Sequence, residues 1–326
     1  MRFWLAILGV FMCMPVFASY AEHDEALEMV HELAQEHDYD EAYLQFLLGA
    51  IEKDKEVLRK ISKPAEKTKQ WFEYRPIFVE SSRIENGVAF WQAHGETLKK
   101  AEKEFGVDAD IIVAILGVET RYGKVMGKTP VLQALATLCF DYPQRAEFFC
   151  QQFDYFLRLS KAQDFNPLSI MGSYAGAMGM AQFMPSSYVD DAIDYDGDGR
   201  VDLWGSVEDA IGSIGNYLAN RGWVSGGKLV ERLPVQPSLP NFGQSHFPSI
   251  AVSDLLKDEA IIHDGSALEW LQMISEPEVG SLILQEEKGA QWWLTYYNFG
   301  VLTRYNSSPL YAMAVIELAD EISKQK

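Results

Sequence analysis

Basic residues are in short supply in this 326-residue chain: 28 Lys and Arg stand against 47 Asp and Glu, a formal net charge of −19 at neutral pH. Binding nucleic acid requires cationic surface that neutralises phosphates, so this balance argues against a nucleic-acid partner. Cysteine is scarcer still, with three residues, one of them the early Cys13. The other two, Cys139 and Cys150, flank Pro143. They either bridge that turn, as an oxidising compartment allows, or remain two buried thiols, and spacing does not choose between these outcomes. Internal repeats and low-complexity segments are lacking as well. Hydrophobic residues at 48% and charged residues at 23% are close to ordinary usage, which excludes a disordered, fibrous or multi-span membrane chain. A globular protein of one large or two to three small domains is expected.

No apolar run reaches the roughly 20 residues a membrane-spanning helix needs. The run from Phe3 to Met14, preceded by Arg2 and followed by Pro15 and the small residues around Ala18 and Ala21, reads instead as a secretory signal peptide over residues 1–21. Cleavage would fall after Ala18 or Ala21, and the mature chain would be periplasmic with a charge of −20, since the leader holds one Arg and no acid. Lipid anchoring of the exported chain through Cys13 is the rival reading, disfavoured because Met12 is bulkier than the small residue that normally precedes a lipidated cysteine.

From Glu22 to about Arg75, apolar residues such as Leu44, Leu47, Leu48 and Ile51 recur at helical spacing. A second helical region, about 86–158, places Asp108 as an N-cap before the apolar run Ile111 to Leu116, which predicts a buried helix. Residues 169–185 turn to Gly, Ala, Ser and Met, as expected where backbone turns sharply or approaches closely. A helix over Val207–Arg221 should end at Gly222. Residues 223–297 alternate Gly and Pro clusters with short apolar runs such as Leu229-Val230 and Ser281 to Leu284, which suggests a small β-rich insert. The chain closes on a helix from Tyr311 to Ile322. The expected division is an N-terminal helical domain at 22–85, a core at 86–222, the insert at 223–297 and a return to the core at 298–326.

Three segments carry chemistry. Glu119 ends the apolar helix in Gly117-Val118-Glu119-Thr120-Arg121-Tyr122-Gly123. Burial among apolar neighbours and the negative end of the helix both disfavour its ionised form, which suits a general acid; a surface Glu or one paired with an Arg is the plainer reading. The stretch Gly172 to Ser187 mixes small residues with Ser173, Gln182 and Phe183, a lining that would let a sugar approach backbone, or merely a tight packing motif. Tyr305, Asn306 and Tyr311 are open to the same pair of readings. The sharpest signal is Asp194-Tyr195-Asp196-Gly197-Asp198-Gly199-Arg200, the first half of an EF-hand loop. Asp194, Asp196 and Asp198 hold positions one, three and five, Gly199 permits the turn, and the Arg200 carbonyl takes position seven. Position twelve is Gly205, so the closing carboxylate must come from Glu208 or Asp209, with Asp209 preferred. Calcium fits this loop better than magnesium, which keeps more waters.

Taken in order, the Glu119 motif, Gln182-Phe183-Met184-Pro185-Ser186-Ser187, the Asp loop and Thr303-Arg304-Tyr305-Asn306 resemble the lytic murein transglycosylase B family from about Phe72 to the C-terminus. The resemblance implies a mainly α (α+β) enzyme with a lysozyme-like helical core, an additional helical domain and a small β-containing domain. It would cleave peptidoglycan glycan strands between N-acetylmuramic acid and N-acetylglucosamine, leaving 1,6-anhydromuramoyl ends. It implies Glu119 as acid and then base, Ser173 and Gln182 near the reacting centre, and Tyr74, Phe183, Tyr217, Tyr305, Asn306 and Tyr311 lining the cleft. Arg145 would meet sugar or peptide carboxylates, and one structural Ca2+ would sit in the loop 194–209. A monomer, or a member of a cell-wall enzyme complex, is expected. Two rivals stand beside this: a muramidase-type hydrolase, and a peptidoglycan-binding protein without chemistry.

Overall fold

The computed structural model describes residues 19–63 and 68–326; Cys13 and the leader through Ala18 lie outside the described residues. Residues Tyr20–Glu22 are already part of the fold, with Tyr20 buried and its hydroxyl donating to Asp141 Oδ2 at 2.6 Å. A cut after Ala21 would remove this contact, and a cut after Ala18 would keep it.

The amphipathic N-terminal stretch forms α1 (Asp24–His37), α2 (Glu41–Gly49) and α3 (Lys55–Ile61). Each buries its apolar stripe: Ala26, Val30 and Leu33 on α1, then Leu44, Leu47 and Leu48 on α2. Asp40 and Asp54 cap α2 and α3 by accepting backbone N–H groups of their first turns. Helix α4 (Trp71–Phe78) buries Trp71 and Tyr74 and leads into α5 (Ser81–Phe105), which kinks at His94.

Helix α6 (Ala109–Thr120) runs through the centre: of its 12 residues only Asp110 and Glu119 reach solvent. Asp108 occupies its N-cap, but the side chain makes no capping bond. Glu102 Oε1 accepts from Ala109 N at 3.4 Å and Asp110 Oδ1 from Ile111 N at 2.8 Å, so neighbouring acids take that role. The short antiparallel strands β1 (Thr129–Pro130) and β2 (Met171–Gly172) bracket α7 (Val131–Asp141) and α8 (Ala146–Ala162). Cys139 and Cys150 form a disulfide across the turn between these helices, with Cα atoms 4.6 Å apart. Helix α9 (Pro185–Asp191) precedes the Asp loop, and α10 (Val207–Asn220) follows it and stops before Gly222, whose φ is +88°.

An antiparallel sheet then forms in the order β3 (Val230–Leu233), β6 (Gly289–Thr295), β5 (Glu278–Glu286), β4 (Ile250–Ala251). Three short helices, α11 (Val252–Leu255), α12 (Glu259–His263) and α13 (Gly265–Leu271), pack on it. With the sheet they enclose a small core of their own around Leu255, Ile261, Leu271, Val279 and Leu294. The chain returns through α14 (Tyr297–Leu302) to α15 (Pro309–Ser323), which packs along α6 in the main core. The architecture is mainly helical with small sheets.

Candidate active site

Glu119 is half-buried one residue before the end of α6. The helix terminates on two successive non-glycine residues in the left-handed region, Arg121 at φ 51° and Tyr122 at φ 61°, a conformation that costs about 1–2 kcal/mol per residue. Hydrogen bonds offset it: Arg121 N and Tyr122 N reach back to the Gly117 and Leu116 carbonyls at 3.1 and 3.0 Å. The Tyr122 hydroxyl donates to Arg83 O at 2.8 Å. Gly117 is required for that ring to sit where it does, since a Cβ there would lie 2.6 Å from the Tyr122 hydroxyl. Thr120 is buried; its Oγ1 donates to Met180 O and accepts from Gly123 N, both at 3.0 Å. Thr120 and Tyr122 therefore fix the turn that presents Glu119. Both stand in its sequence motif, but only their buried contacts reveal this task.

The segment hydrogen-bonded to Thr120 carries Ser173, Gln182 and Phe183. Ser173 Oγ accepts from Ala175 N at 3.2 Å and Ala177 N at 3.0 Å. Gln182, at φ 50°, donates through Nε2 to the Met126 and Gly179 carbonyls at 3.2 and 2.9 Å. Both side chains thus hold backbone, leaving the Ser173 hydroxyl proton and the Gln182 carbonyl oxygen for other partners. Phe183 is buried, with its ring centroid 5.4 Å from Tyr217 and 5.9 Å from Tyr305.

The tyrosines form a continuous wall. Tyr217 and Tyr305 meet edge to face at 4.8 Å, and Tyr305 and Tyr311 lie parallel at 6.5 Å. Tyr217 donates to Arg304 O at 2.6 Å and Tyr305 donates to Ala181 O. Tyr311 donates to Glu119 Oε1 at 2.6 Å across 192 residues of sequence. Burial first and the Glu119 charge second push the Tyr305 and Tyr311 hydroxyls well above their ordinary value, so both remain proton donors. Tyr74 is fully buried against Phe78, ring centroids 5.0 Å apart. Asn306 accepts from Ser308 N at 3.1 Å, bracing the start of α15. Arg145 is exposed on the turn between α7 and α8, its guanidinium 4.3 Å from the Phe148 ring centroid and 5.2 Å from that of Phe149.

The Asp loop is a second site. Asp194, Asp196 and Asp209 each bring a carboxylate oxygen within 4.8 Å of the others. Backbone amides orient them through both carboxylate oxygens: Asp194 accepts from Gly197, Asp198 and Gly199, and Asp209 from Tyr195, Asp196 and Asp202. Burial raises the Asp209 carboxyl above its ordinary value, against those hydrogen bonds. Asp198 accepts from Arg200 N at 2.8 Å and lies outside the three-carboxylate cluster. Glu208 points elsewhere, 3.9 Å from His94, so Asp209 is the acid of α10 that joins the loop. All these donors are hard oxygens, the set suited to calcium.

A single acid presented by an apolar central helix, facing an aromatic wall in a helical body, defines a lysozyme-like enzyme. Residues 22–320 match the transglycosylase SLT domain, and the chain belongs to that family. It is 37% identical over 321 residues, 95% of this chain and 86% of the relative, to the membrane-bound lytic murein transglycosylase B of Escherichia coli (strain K12). Among solved structures it resembles the soluble lytic transglycosylase SltB1 of Pseudomonas aeruginosa, at 39% identity and TM-score 0.82, covering 92% of this chain and 99% of that one. It also resembles the Escherichia coli lytic transglycosylase Slt35 in complex with calcium, at 36% identity and TM-score 0.82, covering 94% and 95%.

Proposed function

We propose that Glu119 is the one catalytic group of a peptidoglycan lytic transglycosylase. The observation that carries this is Glu119 at the end of an otherwise buried helix, hydrogen-bonded to a tyrosine that burial keeps protonated. Glu119 gives its proton to the glycosidic oxygen as the bond to the muramoyl anomeric carbon breaks. As a carboxylate it then takes the proton of the same sugar's 6-hydroxyl, whose oxygen closes on that carbon. The product is a 1,6-anhydromuramoyl end, formed without water. Ordinary glycosidases use two carboxylates. Residues 172–187 and 303–311, two of the segments that build the wall beside Glu119, contain no Asp or Glu, which favours attack from within the substrate.

Tyr74, Phe183, Tyr217, Tyr305, Asn306 and Tyr311 shape the cleft, Ser173 and Gln182 offer their remaining proton and carbonyl to the sugar, and Arg145 meets carboxylates of the peptide stem. The Asp loop holds Ca2+ through Asp194, Asp196, Asp198, the Arg200 carbonyl and Asp209, in a structural role. The protein is exported to the periplasm; no described helix is long and apolar enough to cross a membrane. Mass spectrometry of digested sacculi tests the reaction: anhydromuropeptides, lighter by one water than hydrolysis products, are expected, and reducing muramic ends would establish a hydrolase instead.

A further inference from the structure

Away from Glu119, beside the Asp loop, lies a groove of about 440 Å³. Its walls include Gln163, Asp164, Phe165, Tyr188, Arg200 and Trp204, and through Tyr188 and Val201 it adjoins a second hollow of about 330 Å³. The floor is aromatic: the Trp204 ring centroid lies 6.3 Å from Phe165, edge to face, and 5.9 Å from Tyr188. Trp204 is half-exposed. Its indole N–H and the side chains of Gln163, Asp164 and Arg200 make no hydrogen bond or ion pair with any described residue. The groove therefore combines an aromatic platform with an unspent donor on the platform itself and unspent donors and acceptors around the rim. A pyranose has the complementary character, one apolar face with hydroxyl and amide groups at its edge, and the volume falls within the range of small-ligand clefts. A purely apolar ligand would leave the rim groups unpaired on desolvation, and the net charge of −19 disfavours a polyanion.

The platform is rigidly joined to the catalytic turn. Asp202 Oδ1 accepts from Trp204 N at 2.9 Å and fixes its backbone. Next to Trp204, the Leu203 carbonyl accepts from Met180 N at 2.7 Å, and Met180 O accepts from Thr120 Oγ1 at 3.0 Å. Two hydrogen bonds thus separate the neighbour of Trp204 from the neighbour of Glu119. We propose that this groove is a second, non-catalytic saccharide site that takes β-1,4-linked N-acetylhexosamine units and holds a glycan strand in fixed relation to the cleft. The inference rests on the transglycosylase reading only for the identity of the strand.

The test uses the full exported chain carrying Glu119→Gln, with chitotetraose as the soluble probe and sacculi as the long one. In NMR spectra, Trp204→Phe identifies the Trp204 indole N–H signal, and chitotetraose is expected to shift it saturably. Trp204→Ala, and separately the rim pair Gln163→Ala with Arg200→Ala, should weaken sacculus binding about three- to tenfold, the scale of one lost aromatic or polar contact. Both rim residues are exposed, and Arg200→Ala keeps the backbone carbonyl assigned to the loop, so the pair answers even if Trp204→Ala disturbs the loop. An indole signal that stays still while chitotetraose saturates elsewhere overturns the proposal, as does sacculus affinity unchanged in both variants. A shifted Trp204 signal in a protein whose Glu119→Gln change leaves cleavage intact would uphold this site and count against the catalytic assignment instead.

Discussion

Carboxylates occupy two very different surroundings in this molecule. On the central helices, Glu119 and Glu317 have side chains for neighbours: a tyrosine hydroxyl for the first, the Arg75 guanidinium for the second. In the loop 194–209, the carboxylates of Asp194, Asp196, Asp198, Asp202 and Asp209 are gripped by backbone amides. A side-chain donor orients an acid without fastening it to the backbone, the arrangement proposed for proton transfer at Glu119. Amides that orient clustered carboxylates bring oxygens of Asp194, Asp196 and Asp209 within 4.8 Å of one another, and a cation would relieve their repulsion. Under the proposed function, the same functional group serves as a proton carrier in one place and a metal ligand in the other, according to what surrounds it.

The contrast breaks most visibly at Glu119. Glu119→Gln preserves shape and removes the titratable proton, so turnover of sacculi should fall about 10²- to 10⁴-fold, while the melting temperature and sacculus binding hold. Unchanged clearance of a sacculus suspension would remove Glu119 from the mechanism. At the loop the opposite split is expected: chelation should lower stability by about 2.7 kcal/mol relative to calcium at a hundred times its dissociation constant, with substantial activity kept at low temperature. Asp198→Ala should abolish that calcium-dependent difference. An unmoved melting curve, or immediate loss of cleavage in protein that is still folded, would show that the loop does not play a structural metal role. Next in size is Tyr311→Phe, which deletes only the hydroxyl that holds Glu119; a hydrogen bond to a charged group is worth about 1.5–3 kcal/mol, so kcat should drop roughly tenfold or more. A wild-type kcat would mean that this bond does not position the acid.

Much of this was legible in sequence because it is local. The run Ile111 to Leu116 could only be a buried element, Leu44, Leu47 and Leu48 mark a stripe at helical spacing, and Gly222 ends its helix where a left-handed residue is needed. The Asp loop was visible because its ligand spacing is short. Contacts between distant segments were not legible: nothing in either motif says that the Tyr311 hydroxyl reaches Glu119, or that Tyr217, Tyr305 and Phe183 share one wall. Whether Cys139 and Cys150 pair also depends on how α7 and α8 fold back on each other. Asp108 misled for the opposite reason, since a residue with the right chemistry at the right position was outcompeted by Glu102 and Asp110.

The smallest effect is expected at Glu317, where the comparison can be made with pH. Glu317 joins α15, the helix of Tyr311, to α4, the helix of Tyr74, through its ion pair with Arg75. Burial outweighs the Arg75 hydrogen bond and raises its carboxyl above the ordinary 4.5. A folded-state value above the unfolded one means that the folded protein holds this proton more tightly. The stabilisation it confers is complete below the unfolded value and is lost as pH rises through the folded one. Glu317→Gln cannot titrate, so the stability of wild type relative to this variant should decline as pH rises from about 4 toward neutrality and then level off. The change should stay small, because Arg75 and Glu317 are 39% and 21% exposed and solvent weakens the pair. Melting temperatures of both proteins across that range, subtracted pairwise, measure it. A wild type that gains on the variant with rising pH would mean that the ion pair outweighs burial, and that core acids can be held in the ionised form by a side-chain partner as well as by amides.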